Sequence, residues 1–153
     1  MNSAPATTRV IGVGNHRRRD DGVGPAVAAA LDRLSPDDVR VELCEGDPLS
    51  LLDGLGGERR LILIDAVQVP KGPCRVHRID ARQDRLNVAF PCSSHAFGLS
   101  ETLELAKTLK RLPDQTIVYA VEGWDFAHGR GLSPEAQAAA ESCLAKVLAE
   151  VFP

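Results

Sequence analysis

The chain is poor in aromatic residues, which make up only 4% of it. Permanent interfaces are enriched in Tyr, Trp and Phe. That shortage, in a small chain with a formal net charge of -3, points to a monomer that docks transiently. Positive charge is not in excess: 18 Lys and Arg stand against 21 Asp and Glu. No face is forced to be basic, so the balance argues against nucleic acid as a partner. The four cysteines, Cys44, Cys74, Cys92 and Cys143, form no CxxC pair, which excludes the usual structural zinc spacing and leaves core packing as their role. No apolar run reaches the roughly 20 residues that a membrane span needs, and the N-terminus lacks the apolar segment of a secretion signal. The expectation is a cytoplasmic protein with reduced thiols and no membrane association.

What is present suits one globular domain over residues 1–153, with 44% hydrophobic and 25% charged residues and length enough for a core of its own. Residues 1–7 are small and polar and are expected to be disordered. Thr8 to Gly14 reads as a strand ending in glycines. A helix follows, with Pro25 suited to its first turn and Val23, Val27, Ala30, Leu31 and Leu34 at helical spacing. Residues 39–44 alternate as a strand with one wet face, and 47–55 form a short helix closed by Gly56 and Gly57. Leu61 to Ile64 is a continuous apolar run, as in a strand covered on both faces. Residues 74–79 and 116–121 are further strands. Between them lies a helix that Ser94 would cap, with the stripe Leu99, Leu103, Ala106 and Leu109. A last helix has Ser133 as N-cap, Pro134 in its first turn and one apolar face from Ala136 to Val151. Alternation of strands and helices predicts an α/β fold with a mostly parallel, mixed five-stranded sheet. The strands at 60–65 and 74–79 have no helix between them and are expected to pair antiparallel.

Sites in open α/β sheets form beyond the carboxyl ends of the strands. Three segments bring reactive side chains there. The first strand runs into Gly14-Asn15-His16-Arg17-Arg18-Arg19-Asp20-Asp21-Gly22. Asp20 and Asp21 suit a helix start, where negative charge is favoured, but Asp21 stands beside the permissive backbone of Gly22 and Gly24 and can point into a cleft. Asp65 closes the apolar strand, where an unpartnered carboxylate is costly to bury. His95 falls at the start of a helix, whose positive field favours the neutral imidazole that binds metal. Two carboxylates and an imidazole make a mixed oxygen and nitrogen set suited to nickel or zinc, able to polarise a carbonyl and activate water. Amide hydrolysis is the matching chemistry. Two rivals are weaker. Gly12-Val13-Gly14 starts like a dinucleotide fingerprint, yet Arg17 stands where the third glycine belongs. Cys92 is near His95 in sequence, but no orienting partner marks a catalytic pair.

These pieces together resemble the hydrogenase maturation proteases, which trim the C-terminus of the large subunit of [NiFe] hydrogenases. The resemblance rests on Gly12-Val13-Gly14-Asn15 with Asp20-Asp21-Gly22-Val23-Gly24, on Ile64-Asp65-Ala66, on Ser94-His95 with Gly98-Leu99, and on Gly131-Leu132-Ser133-Pro134. Each piece is short; their joint order and spacing are specific. The resemblance implies a three-layer α/β/α sandwich around a twisted mixed sheet. It implies that Asp21, where the family carries Asp or Glu, joins Asp65 and His95 as the catalytic and metal-engaging residues. It also implies that the nickel is carried by the large-subunit precursor, so that the protease need not hold a metal of its own. Asp20 is a candidate general base. The run His16-Arg17-Arg18-Arg19 departs from the family pattern in being so basic. It is either a solvated surface or a patch that steers an acidic stretch of the precursor, in which case salt should slow association. Two other classes remain open: a checkpoint module that binds the nickel-loaded subunit without cutting it, and a metallohydrolase with its own metal.

Overall fold

Five strands order the chain as β2-β1-β3-β5-β4 in one sheet. The computed structural model describes residues 8–34, 37–84 and 98–152. The strands are β1 (Thr8–Val13), β2 (Val39–Cys44), β3 (Arg60–Gln68), β4 (Val76–Asp80) and β5 (Gln115–Gly123). The helices are α1 (Val23–Arg33), α2 (Leu99–Thr108) and α3 (Pro134–Val151). The β1–β2, β1–β3 and β3–β5 pairs are parallel, and β4 runs antiparallel to β5.

The strand at the centre explains the layering. Leu61 to Ala66 of β3 are all buried, because both faces of the sheet are covered, as an unbroken apolar run demands. On one face Val10, Ile62, Ile64 and Tyr119 pack with Val27 and Leu31 of α1 and with Ala139, Cys143 and Val147 of α3. On the other, Ile11, Leu63 and Val118 pack with Leu99, Leu103 and Ala106 of α2 and with Leu51 of a 3-10 turn at Pro48–Gly54. This is the expected three-layer α/β/α arrangement. No helix among the described residues is long and apolar enough to cross a membrane.

Local signals hold well. Ser133 accepts from the Ala136 amide at 3.2 Å and caps α3, with Pro134 in its first turn. Asp47 caps the turn at Pro48–Gly54 by accepting from Leu49 N at 3.0 Å. Leu34 and Leu109, placed on the apolar stripes by spacing, are instead 55% and 51% exposed. Both stand at helix C-caps, beyond the sheet that covers the rest of their stripes. Ser94 and the N-terminal residues 1–7 lie outside the described residues.

The expected antiparallel partner of β4 is corrected. β4 pairs with β5, which sits between it and β3. A direct hairpin wants a tight turn of two to five residues. Here residues 69–75, with Pro70, Gly72 and Pro73, arch over the end of β5. Val69 N donates to Gly123 O at 2.8 Å, and Glu122 N to Arg75 O at 2.9 Å. The arch spans two strand spacings, about 10 Å, and leaves room for a strand.

The start of α1 seats directly on the strand ends. A Cβ on Gly24 would fall well inside van der Waals contact of the Ile64 and Val13 carbonyl oxygens. All of these are backbone atoms, so nothing flexible can yield. Gly24→Ala is expected to cost about 3 kcal/mol, at the upper end for overpacking. Gly46→Ala, where an added methyl meets nothing within 4 Å, should stay within about 0.5 kcal/mol of the parent. Urea unfolding of the two variants checks this. Equal midpoints would mean that α1 is not held by this contact.

Candidate active site

Parallel pairing of β1 with β3 brings their carboxyl ends to the same edge of the sheet. From there β1 turns through Gly14, whose φ of +140° suits glycine and whose Cβ position is taken by the Asp21 carbonyl oxygen. Asn15 Oδ1 then accepts from Arg17 N at 2.9 Å, closing an Asx turn. A 3-10 turn at Arg19–Gly22 carries both aspartates into α1. Asp21 folds back on this turn: its Oδ2 accepts from Asn15 N at 3.0 Å, and the residue is 2% exposed.

Asp65 sits on β3 directly after Ile64 and is 1% exposed. Its Oδ1 accepts from Ala66 N at 2.9 Å. Strand alternation places it with Leu61 and Leu63 on the sheet face that α2 covers. The turn carrying Asp21 lies in contact with β3, and Gly24 abuts the Ile64 carbonyl. The turn carrying Asp21 and the strand carrying Asp65 are therefore neighbours, and both residues are buried. His95 lies outside the described residues, as does Cys92. The nearest described residue in sequence, Gly98, is the N-cap of α2, on the face Asp65 shares. Among the described residues, no three His, Cys, Asp or Glu side chains gather to hold a metal ion.

Asp20 has a structural task in this turn. It is fully buried, and its two oxygens accept four hydrogen bonds. Oδ2 takes Trp124 N and Asp125 N at 3.0 Å each and Ser133 Oγ at 2.8 Å, while Oδ1 takes Ser133 N at 2.7 Å. In return Asp20 N donates to Asp125 O at 2.8 Å. The carboxylate latches the site turn to the β5–α3 loop. All four donors belong to the chain itself, so the role of Asp20 seen here is to position the turn beside it.

A family model described as hydrogenase maturation protease, HycI, matches residues 25–150. The chain belongs to the hydrogenase maturation protease family. The matched stretch contains Asp65 and His95 and begins beyond Asp21. An endopeptidase from Escherichia coli shares the fold with a TM-score of 0.81 at 25% identity, over 93% of this chain and 90% of that one. The hydrogenase maturating endopeptidase HybD from E. coli aligns with a TM-score of 0.72 at 26% identity, over 94% and 91% of the two chains. The [NiFe] hydrogenase maturation protease HybD from Thermococcus kodakarensis has the same fold, with a TM-score of 0.75 at 20% identity over 94% and 98%. A comparison with curated protein sequences gives no match. As a member of its family, this protease is an endopeptidase that trims the C-terminus of a hydrogenase large-subunit precursor.

The remaining features of the protease fit around that activity. Cys44, at the end of β2, has its thiol pushed up by burial, with the Asp65 charge acting in the same direction against hydrogen bonds from Ser50 and Gly46. Burial pushes Cys143 up to about 12, which fits the packing role expected of it. The basic run is partly tied down: Arg18 bridges to Gly129, Arg19 Nε lies 3.6 Å from Asp125 Oδ2, and His16 Nδ1 meets Glu45 Oε1. Asn15 and Ser133 are the positioning residues that sequence reading did not assign a role at the site. The Gly-Asn pair before Asp20-Asp21 and the Ser-Pro pair before α3 were their only signals.

Proposed function

We propose that this protease acts on the nickel-loaded form of its precursor and reads that nickel through Asp21, Asp65 and His95. The observation that carries the reading is the burial of two carboxylates, Asp65 on β3 and Asp21 on the turn that follows β1 and contacts β3. Backbone amides of Asn15 and Ala66 hold one oxygen of each carboxylate in place. Carboxylate oxygens fixed in this way are hard donors suited to a divalent metal presented by the substrate, and a neutral imidazole completes an oxygen and nitrogen donor set. The nickel belongs to the substrate, and the free protease needs no metal of its own.

Cleavage then requires water at the scissile carbonyl. Metal charge close to that carbonyl stabilises the negative charge that develops on its oxygen. A carboxylate of the pair orients the attacking water and takes its proton, which leaves with the amine as the C–N bond breaks. The buried, reduced thiols Cys44 and Cys143 support a cytoplasmic setting, and the protein acts there as a monomer.

Intact mass of a large-subunit precursor, with and without nickel, tests this after incubation with the protease. Loss of a C-terminal peptide from the nickel-loaded form alone is expected, and His95→Ala should abolish it. Equal trimming of the nickel-free form would remove the metal's role as a signal. Full processing by the His95→Ala variant would remove that residue from the set. Binding without any mass change would favour the checkpoint reading, and a tightly held metal in the purified protein would favour an ordinary metallohydrolase.

A further inference from the structure

A furrow runs away from the turn that carries Asp21. Its upper part is a cavity of about 380 Å³ floored by Pro25, Ala26 and Ala29 of α1 and walled by Leu43 and Leu132. Gly22, the residue after Asp21, lines the end nearest the site. A second hollow of about 240 Å³ continues past Ala26 and Ala29 to Ala30 and Leu144, between α1 and α3. The first volume sits near the lower end of ligand pockets, about 300–1,000 Å³, and the second falls below it.

Two features mark this furrow. Leu43 is 55% exposed on the edge strand β2. Its neighbours on that face, Val39 and Val41, pack into the core under α1, so Leu43 lies beside the helix at the furrow wall. The chain around the end nearest Asp21 is basic in a protein of net charge -3: Arg19 lines the cavity, its neighbours Arg17 and Arg18 are exposed and half-buried, and Arg130, next to the lining Gly131, is exposed. Glu45 is engaged with His16 and Asp125 with Arg19, which leaves the rim with a positive balance. An apolar trough with a basic mouth that opens at the candidate catalytic turn fits an extended peptide with an apolar side chain flanked by acidic residues.

We propose that this furrow receives the precursor segment adjoining the scissile bond, seating an apolar side chain against Leu43 and Leu132 and acidic residues against Arg17 and Arg19. The assignment rests on the reading above in one respect, that Asp21 marks the cleavage centre. Apolar contact supplies affinity in the trough, and the arginines supply orientation and a salt-sensitive approach.

The test is the affinity of a large-subunit precursor that the wild-type protease binds, measured by fluorescence anisotropy over a range of salt concentrations. Leu43→Asp should weaken binding about tenfold, equivalent to about 1.4 kcal/mol, with the wild-type salt slope. Leu43→Ala should give a smaller loss in the same direction. The double variant Arg17→Glu/Arg19→Glu should weaken binding at low salt and flatten the salt dependence. Leu105→Asp, which alters an exposed leucine on α2, should bind as the wild type does. Wild-type affinity in both Leu43 variants would overturn the proposal. So would a wild-type dimer, seen by sedimentation, that Leu43→Asp dissociates, since a second copy would then cover the furrow. The affinity readout is separate from cleavage: a protease that binds nickel-free precursor equally well, or binds without cutting, sinks the nickel reading, and the Leu43 comparison still decides the furrow.

Discussion

Asp21→Asn and Asp65→Asn should each slow precursor processing by at least about a hundredfold while leaving the protein folded. Asparagine keeps the shape of the side chain and one carbonyl oxygen. Asp21 accepts from Asn15 N, and Asp65 from Ala66 N; an amide oxygen can accept both. What each variant loses is the negative charge. If these carboxylates engage a cation and orient water, losing the charge removes interactions that general-base and electrostatic catalysis value at about 10² or more in rate. Thermal melts should stay close to that of the parent, because both sites are buried and the substitution preserves volume. Single-turnover processing followed by intact mass is the measurement. An Asp65→Asn variant that cuts at the parental rate would exclude that carboxylate from the chemistry.

The neighbouring substitution Asp20→Ala should act through stability instead. It strips the partner from the amides of Trp124, Asp125 and Ser133 and from the Ser133 hydroxyl, in a place where the carboxylate was fully buried. Hydrogen bonds to a charged group contribute about 1.5–3 kcal/mol each, and buried donors left unmade carry a penalty of their own. The losses are not additive, but at least about 3 kcal/mol is expected. In a domain of this size that lowers the melting temperature by about 10 °C. Ser133→Ala, which removes a helix cap and only the hydroxyl contact, should cost about 1 kcal/mol. A calorimetric melt of Asp20→Ala within about 2 °C of the parent would show that the latch does not hold the β5–α3 loop. Because the same turn carries Asp21, processing by Asp20→Ala should fall as well, through a misplaced neighbour.

The two aspartates illustrate how far sequence reading reaches. Both look alike on the page: acidic, adjacent, between a basic run and a glycine. In the 3-10 turn they diverge. Asp21 folds back onto Asn15, six residues away, while Asp20 reaches donors more than a hundred positions along the chain. The glycine on either side of α1's first turn was legible as a bend, but not as the point where a helix seats against two carbonyl oxygens. Asp65 was legible because a carboxylate after an apolar run is conspicuous, and β3 is as buried as that run demanded. The leucines at helix ends were misjudged because spacing fixes which side of a helix a residue occupies and says nothing of where the sheet beneath it stops.

The sequence by itself determined the element types, the cap at Ser133, the alternation that makes an α/β fold, and the family to which the chain belongs. Tertiary structure decided that β5 enters between β3 and β4, that Asp20 is a latch beside the candidate site residue Asp21, and that a furrow runs along α1 from the turn that carries Asp21. The physical reason is range. Hydrophobic periodicity and helix capping act over a few residues, so they are written locally. Strand pairing and the saturation of a buried carboxylate depend on groups that meet only once the chain has folded.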